Sequence, residues 1–250
     1  MSNTGVCALC KRTRDLKRSH IVPEFVYGPI YDDGHSAVGV LATPRGPRSR
    51  PVQQGVWERL LCEDCEIALN RWETPSARLW RFLRGEGPDD HYQARAIQSP
   101  GGNTAVEVSG VDYPSFKLFL MSLLYRMAVS ARPEYQKVHL DDEPLKRLRN
   151  GLLAGEPGTQ AFFPTTVLGL RQAAESGIIL SPMSHQEGDV PVVRLVLTNV
   201  MLWLAGSPDA SDLSFTQFAP HPSGRFVVPA VRPGDMRLFR EAIPNLLDGL

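Results

Sequence analysis

The run Val56-Trp57-Glu58-Arg59-Leu60-Leu61 reads as a strand that leads directly into Cys62. Ile67, Ala68, Leu69 and Trp72 then recur with the spacing of one helical face, which predicts a helix from Asp64. On that helix Asn70 and Glu73 fall four and seven positions after Glu66, on or near the same face. Thr74-Pro75 marks a restart, with Thr74 as N-cap and Pro75 in the first turn, and Leu79, Phe82 and Leu83 continue an amphipathic helix. Ahead of the strand the chain reads as a short hairpin knuckle and then a long Pro- and Gly-rich loop.

Gly85 to Asp90 has the composition of a hinge. Beyond it, Ala105 to Val108 reads as a strand, and Tyr113 to Ala131 is apolar nearly all round, as a buried helix would be. A charged helix follows at Glu143 to Leu153. Strands are then expected at Gly177 to Leu180, Val190 to Leu204 and Arg225 to Pro229, with a terminal helix from Asp235 to Leu247. The sum is an α+β chain, with a domain at 1–84 and a mixed α/β C-terminal domain at 85–250.

Composition is that of a globular protein, 42% hydrophobic and 22% charged over 250 residues. No stretch approaches the roughly 18 to 20 apolar residues of a membrane span, and the N-terminus lacks a secretory signature, so a soluble, cytoplasmic protein with no membrane partner is expected. Formal net charge is zero, which excludes a strong global pull on nucleic acid. Its distribution is uneven: residues 1–84 carry 13 Lys and Arg against 9 Asp and Glu. Two clusters, Lys11, Arg12, Arg14, Lys17 and Arg18, then Arg45, Arg48 and Arg50, are candidates to meet phosphates, against the alternative of a solvated loop surface.

All four cysteines lie in this first part, as Cys7-x-x-Cys10 and Cys62-x-x-Cys65. In a reducing compartment disulfides do not persist, whereas two such pairs supply four thiolates at the spacing a tetrahedral Zn2+ accepts. A redox Cys-x-x-Cys or an iron–sulfur cluster are the alternatives, and neither context is visible around these residues.

Between the pairs stands Ser19-His20-Ile21-Val22-Pro23-Glu24. In order, then, the chain offers Cys-x-x-Cys, His-Ile-x-Pro, and a Leu-Leu-Cys-x-x-Cys-Glu step from strand to helix. Over about residues 5–80 this resembles the HNH (ββα-metal, His-Me finger) endonucleases, in the branch with two Cys-x-x-Cys pairs around the site. The resemblance implies a ββα-metal zinc-knuckle domain, structural Zn2+ on Cys7, Cys10, Cys62 and Cys65, and hydrolysis of phosphodiester bonds of nucleic acid, DNA ahead of RNA. Such hydrolysis needs a base to deprotonate water and a hard cation to stabilise charge on the phosphate.

By the same resemblance His20 is the catalytic base, and Glu66, Asn70 and Glu73 hold the catalytic Mg2+ or Mn2+. Many family members carry Asp where Ser19 stands, and their middle Asn, which orients the histidine, has no clear counterpart; Gln54 and Glu58 are the residues nearest to that role. The C-terminal part offers no catalytic motif, with His139, His185 and His221 expected to be structural or solvated, and is expected to carry a regulatory protein partner. The whole looks like bacterial HNH proteins, some relatives of which are effectors of anti-phage defence. The rival expectation is a zinc-stabilised binding or adaptor module whose nuclease site has decayed.

Overall fold

A computed structural model of the protein describes residues 3–28, 37–43, 46–52, 55–98, 104–170 and 179–231, and within 37–43 and 46–52 only the backbone. Among the described residues it is a mixed α/β protein with two sheets and four α-helices. The smaller sheet has the order β1-β2-β5, from β1 (Thr4–Val6), β2 (Thr13–His20) and β5 (Trp57–Cys62), all antiparallel. Between β2 and β5 lie α1 (Glu24–Tyr27) and two strands that the expected Pro- and Gly-rich loop did not foreshadow, β3 (Ala37–Thr43) and β4 (Gly46–Val52). They pair with each other, and β3 then pairs in parallel with a strand far along the chain through Val40 and Leu180. Their sequence hides this, since β4 carries Pro47 and Pro51 and β3 contains Gly39, residues that favour turns over ladders. β4 tolerates its prolines because it is the edge of its sheet.

The helix α2 (Glu63–Leu83) follows β5 without a loop. It does not restart at Thr74-Pro75: Pro75 sits inside a continuous helix. The hydroxyls of Thr74 and Ser76 donate back to the carbonyls of Asn70 and Trp72, on either side of the bond that proline cannot make. A proline in a helix interior costs about 3 kcal/mol. Burial of Leu69 before it and of Leu79 and Trp80 after it, each contributing roughly 1.5–3 kcal/mol, offsets that cost. The segment read as a hinge is tied down, with Gly85 N–H on Phe82 O, Glu86 N–H on Arg81 O, and Arg78 paired with Asp89.

β6 (Gln93–Gln98) and β7 (Thr104–Ser109) form a hairpin of which only the second strand was expected. In β6 five of six residues are exposed and the apolar alternation that marks a strand is weak. Next comes α3 (Tyr113–Val129), whose start is capped by the Asp112 carboxylate accepting from Ser115 N–H. Its burial on every side matches its apolar sequence. α4 (Asp142–Ala154) ends at Gly155, whose φ of 68° is the left-handed closure that glycine allows.

Strands β8 (Thr165–Leu170), β9 (Ile179–Glu187), β10 (Val190–Leu197), β11 (Val200–Ala205) and β12 (Phe226–Val231) complete the larger sheet, ordered β4-β3-β9-β10-β11-β8-β12-β7-β6. The expected strand from Val190 to Leu204 is thus two, turned at Thr198, which takes a φ of 61°. The expected helix from Asp235 to Leu247 lies outside the described residues. One apolar core runs from Cys7, Leu9 and Leu61 through Leu69 and Trp80 to Phe119, Leu148 and Leu202, so α2 and α3 join the small sheet to the rest of the molecule. No helix among the described residues is long and apolar enough to cross a membrane.

Candidate functional site

The turn after β1 is a knuckle closed by Cys7 N–H on Arg12 O at 3.0 Å and Lys11 N–H on Cys7 O at 2.9 Å, with Lys11 at a φ of 62°. Ala8 N–H reaches Leu60 O at 2.9 Å, which pins the knuckle against β5. Cys62 caps α2 and Cys65 lies in its first turn. As a result the four Sγ atoms lie within 4.8 Å of one another, none of them in a disulfide. Zinc bound to four thiolates at about 2.3 Å in a tetrahedron spaces the sulfurs about 3.8 Å apart; Cys10 Sγ and Cys62 Sγ are 3.8 Å apart. The tetrad fits a zinc ion in donor type, number and separation.

Electrostatics agree with that fit. Burial disfavours the Cys7 thiolate, yet N–H groups of Cys10, Cys62 and Leu9 directed at its sulfur outweigh this and bring it down to about 7. Burial and the neighbouring sulfurs push Cys65 far up, because four bare thiolates cannot share so small a volume. A divalent cation removes that repulsion.

Two side chains of α3 and α4 grip the knuckle from behind: Tyr125 donates to Ala8 O at 2.5 Å and Arg149 to Leu9 O at 2.5 Å.

His20 ends β2, opposite Trp57 on β5. Its side chain is 33% exposed, and its Nε2 lies 3.1 Å from Glu24 Oε2. Partial burial lowers the pKa of His20, Glu24 works against this, and Arg18 and Arg126 reinforce it, so the imidazole is held toward its neutral form. The same Glu24 oxygen accepts from Gly55 N–H at 3.3 Å. Gly55 has to be small, since a Cβ there would lie 2.6 Å from the Tyr27 ring. Glu24 was not among the residues expected at the site. The signal was present as a carboxylate four residues after His20, but only the helical turn of α1 after Pro23 folds it back onto the ring.

Strand alternation sends the Ser19 side chain to the face opposite His20. Ser19 is fully buried; its hydroxyl donates to Glu66 and accepts from Leu61 N–H at 3.0 Å. Burial raises the pKa of Glu66, with the Ser19 hydrogen bond and Arg126 opposing. Glu73 is bound by Arg126, which extends from α3 at 2.5 Å and also donates to His20 O at 2.8 Å. Ser19 with Glu66 and Arg126 with Glu73 therefore form two neighbouring, part-buried polar pairs behind the strand from which the imidazole projects. Asn70 is exposed on the outer surface of α2.

Glu58 lies opposite Ser19 in the β2–β5 register and accepts from the Ser130 hydroxyl at 2.7 Å and from Ala131 N–H at 3.1 Å. It closes the end of α3, and no contact joins it to His20 among the described residues. Gln54 and Arg45 lie outside the described residues, as do the side chains of Arg48 and Arg50. Of the first basic cluster, Lys11, Arg12, Arg14 and Arg18 are exposed, while Lys17 faces Asp15 and Glu63 at 3.5 and 3.6 Å. Far from this site His185 Nε2 meets Glu187 at 3.0 Å and Arg194 at 2.8 Å, and His221 Nδ1 meets Ser223, so both histidines are engaged in local hydrogen bonds.

Compared with family models, with curated proteins and with solved structures, the chain matches none of them.

Proposed function

We propose that the protein is a metal-dependent endonuclease of the HNH type, with His20 as the base that activates water. The observation that carries this reading is the partly exposed His20, held by Glu24 at 3.1 Å and kept toward its neutral form at the end of the strand that leaves a four-thiol knuckle. A neutral imidazole with one nitrogen engaged by a carboxylate has the other available to take a proton. Zinc on the tetrad is structural, since all four ligands are protein thiolates and no position is left for water.

The catalytic cation implied by the HNH resemblance meets a narrower donor set than the spacing suggested. Glu66 and Asn70, one turn apart on α2, are oxygen donors suited to Mg2+ or Mn2+. Glu73 is committed to the Arg126 guanidinium and serves the fold. Glu66 lies on the Ser19 side of β2, opposite the His20 ring, and Asn70 on the outer surface of α2, so an ion that they held would sit across the ribbon from the imidazole.

A second reading is favoured by a specific observation. Ser19 stands where many HNH members have Asp, and its hydroxyl occupies the Glu66 carboxylate. A zinc-stapled nucleic-acid-binding module that has lost its cation site would have this arrangement.

The test is cleavage of plasmid DNA and single-stranded RNA by wild type and His20→Ala, each with Mg2+, Mn2+ or EDTA. The nuclease reading expects metal-dependent cleavage that falls by about 10²- to 10⁴-fold in His20→Ala while zinc content stays the same. Binding without turnover in any condition selects the second reading.

A further inference from the structure

We infer that the exposed face of the β2–β5 ribbon binds single-stranded nucleic acid through a stacking platform built on Trp57 and Arg18. The inference deepens the proposed function, because it names the form of substrate that the His20 site receives.

The register puts Arg18 opposite Arg59 and His20 opposite Trp57. In an antiparallel pair such residues share one face, so Arg18, His20, Trp57 and Arg59 form a two-by-two patch. The other face is filled by Ser19 and Glu58, which are engaged toward α2 and the end of α3. The Arg18 guanidinium lies over the Trp57 ring, 4.0 Å from its centroid, a diagonal contact across the ribbon. Arg18 and Arg59 are exposed and Trp57 is partly so.

This patch has the two components that single-strand recognition requires. Planar groups, an indole and a guanidinium already stacked on it, offer a surface onto which an unpaired base can continue the stack. Positive charge beside them, from Arg18 and Arg59, meets the backbone phosphates.

Among the described residues, the nearby carboxylates have partners of their own. Glu58 points away, Asp15 and Glu63 face Lys17, and Glu24 is bound by His20 and Gly55 N–H. A duplex presents its phosphates but keeps its bases stacked inside, so it can use only the second component. Because His20 belongs to the same patch, a base seated on the platform brings its adjoining phosphodiester to the imidazole.

The experiment measures binding alone, without added Mg2+ or Mn2+, so its outcome is independent of whether the protein cleaves. Fluorescently labelled dT and rU oligomers of about 12 nucleotides, within the span one single-strand groove covers, are titrated against a duplex of equal length. The zinc-loaded wild type is expected to prefer both single strands to the duplex and to show quenched tryptophan emission on binding dT. Trp57→Ala is expected to weaken dT binding by about 5- to 150-fold, as loss of one stacked base does, and Arg18→Ala to weaken it as well. Trp57→Phe keeps an aromatic face and the fold; it should bind within a few-fold of wild type but lose the quench. Equal affinity for duplex and single strand, or a quench that persists in Trp57→Phe, overturns the platform. Preference for dT or for rU alone assigns it to DNA or to RNA.

Discussion

The guanidinium of Arg126 and the backbone of His20 meet across 106 positions of sequence, with Nη1 donating to the His20 carbonyl oxygen at 2.8 Å. The same guanidinium holds Glu73, so a single residue of α3 joins the end of β2 to the middle of α2. Truncating it leaves a largely buried carboxylate without its counter-charge. Arg126→Ala is expected to lower stability by about 3–5 kcal/mol, read from urea denaturation, whereas Arg126→Lys keeps the charge and loses less.

The thiol tetrad makes a stoichiometric prediction. Metal analysis of the purified protein should give one zinc per chain. Cys65→Ser should abolish it and lower the melting temperature, because the ligands come from both ends of the small sheet and the metal closes the loop between them. Full zinc content in Cys65→Ser would refute the tetrad as the site.

Glu24 and burial act on His20 in opposite directions, and this fixes the sign of a substitution. Glu24 favours the imidazolium; Glu24→Gln removes that support and leaves burial, Arg18 and Arg126 opposed only by the more distant Glu73. The His20 pKa, followed by NMR of its ring proton, should therefore fall further below the usual histidine value. Any cleavage activity should lose its acid limb at a correspondingly lower pH. An unchanged His20 titration would show that the 3.1 Å contact does not form in solution.

Lys117 gives a prediction unrelated to the site. It is fully buried in α3, its ammonium nitrogen donates to Phe163 O at 3.0 Å, and burial pulls its pKa down to about 7. Unfolded, the side chain titrates near its ordinary value of about 10.4. Between these values the unfolded chain binds the proton and the folded chain does not, so stability rises with pH across that window. Lys117→Met lacks this term. The wild type should gain on the variant by up to about 1.4 kcal/mol per pH unit as pH is raised from 7 towards 10, measured by denaturant melts of the pair. A constant difference would mean that Lys117 stays charged when folded.

Local chemistry was legible where it is carried by residues close in sequence. Both cysteine pairs, the strand into Cys62 and the apolar α3 follow from spacing and periodicity alone. Pro75 misled because its cost is local, whereas the burial of Leu79 and Trp80 that offsets it depends on packing against distant elements. Glu24 and Arg126 were out of reach for a related reason. What gives each its role is a direction in space, the turn after Pro23 for one and the packing of α3 against the small sheet for the other. Asn70 illustrates the converse: helical spacing placed it correctly beside Glu66, and spacing cannot say that it faces solvent.

The pairing of Val40 with Leu180 sets an order of events for a chain emerging from the ribosome. The four thiols are all present once residue 65 has appeared, so metal can close its ring early. The β3–β4 hairpin enclosed by that ring must then wait for more than a hundred further residues before β9 exists to receive it. Contacts of such separation form slowly. For that interval the nascent protein carries a finished knuckle and an unpaired ribbon, and it is the ribbon that a chaperone would have to shield.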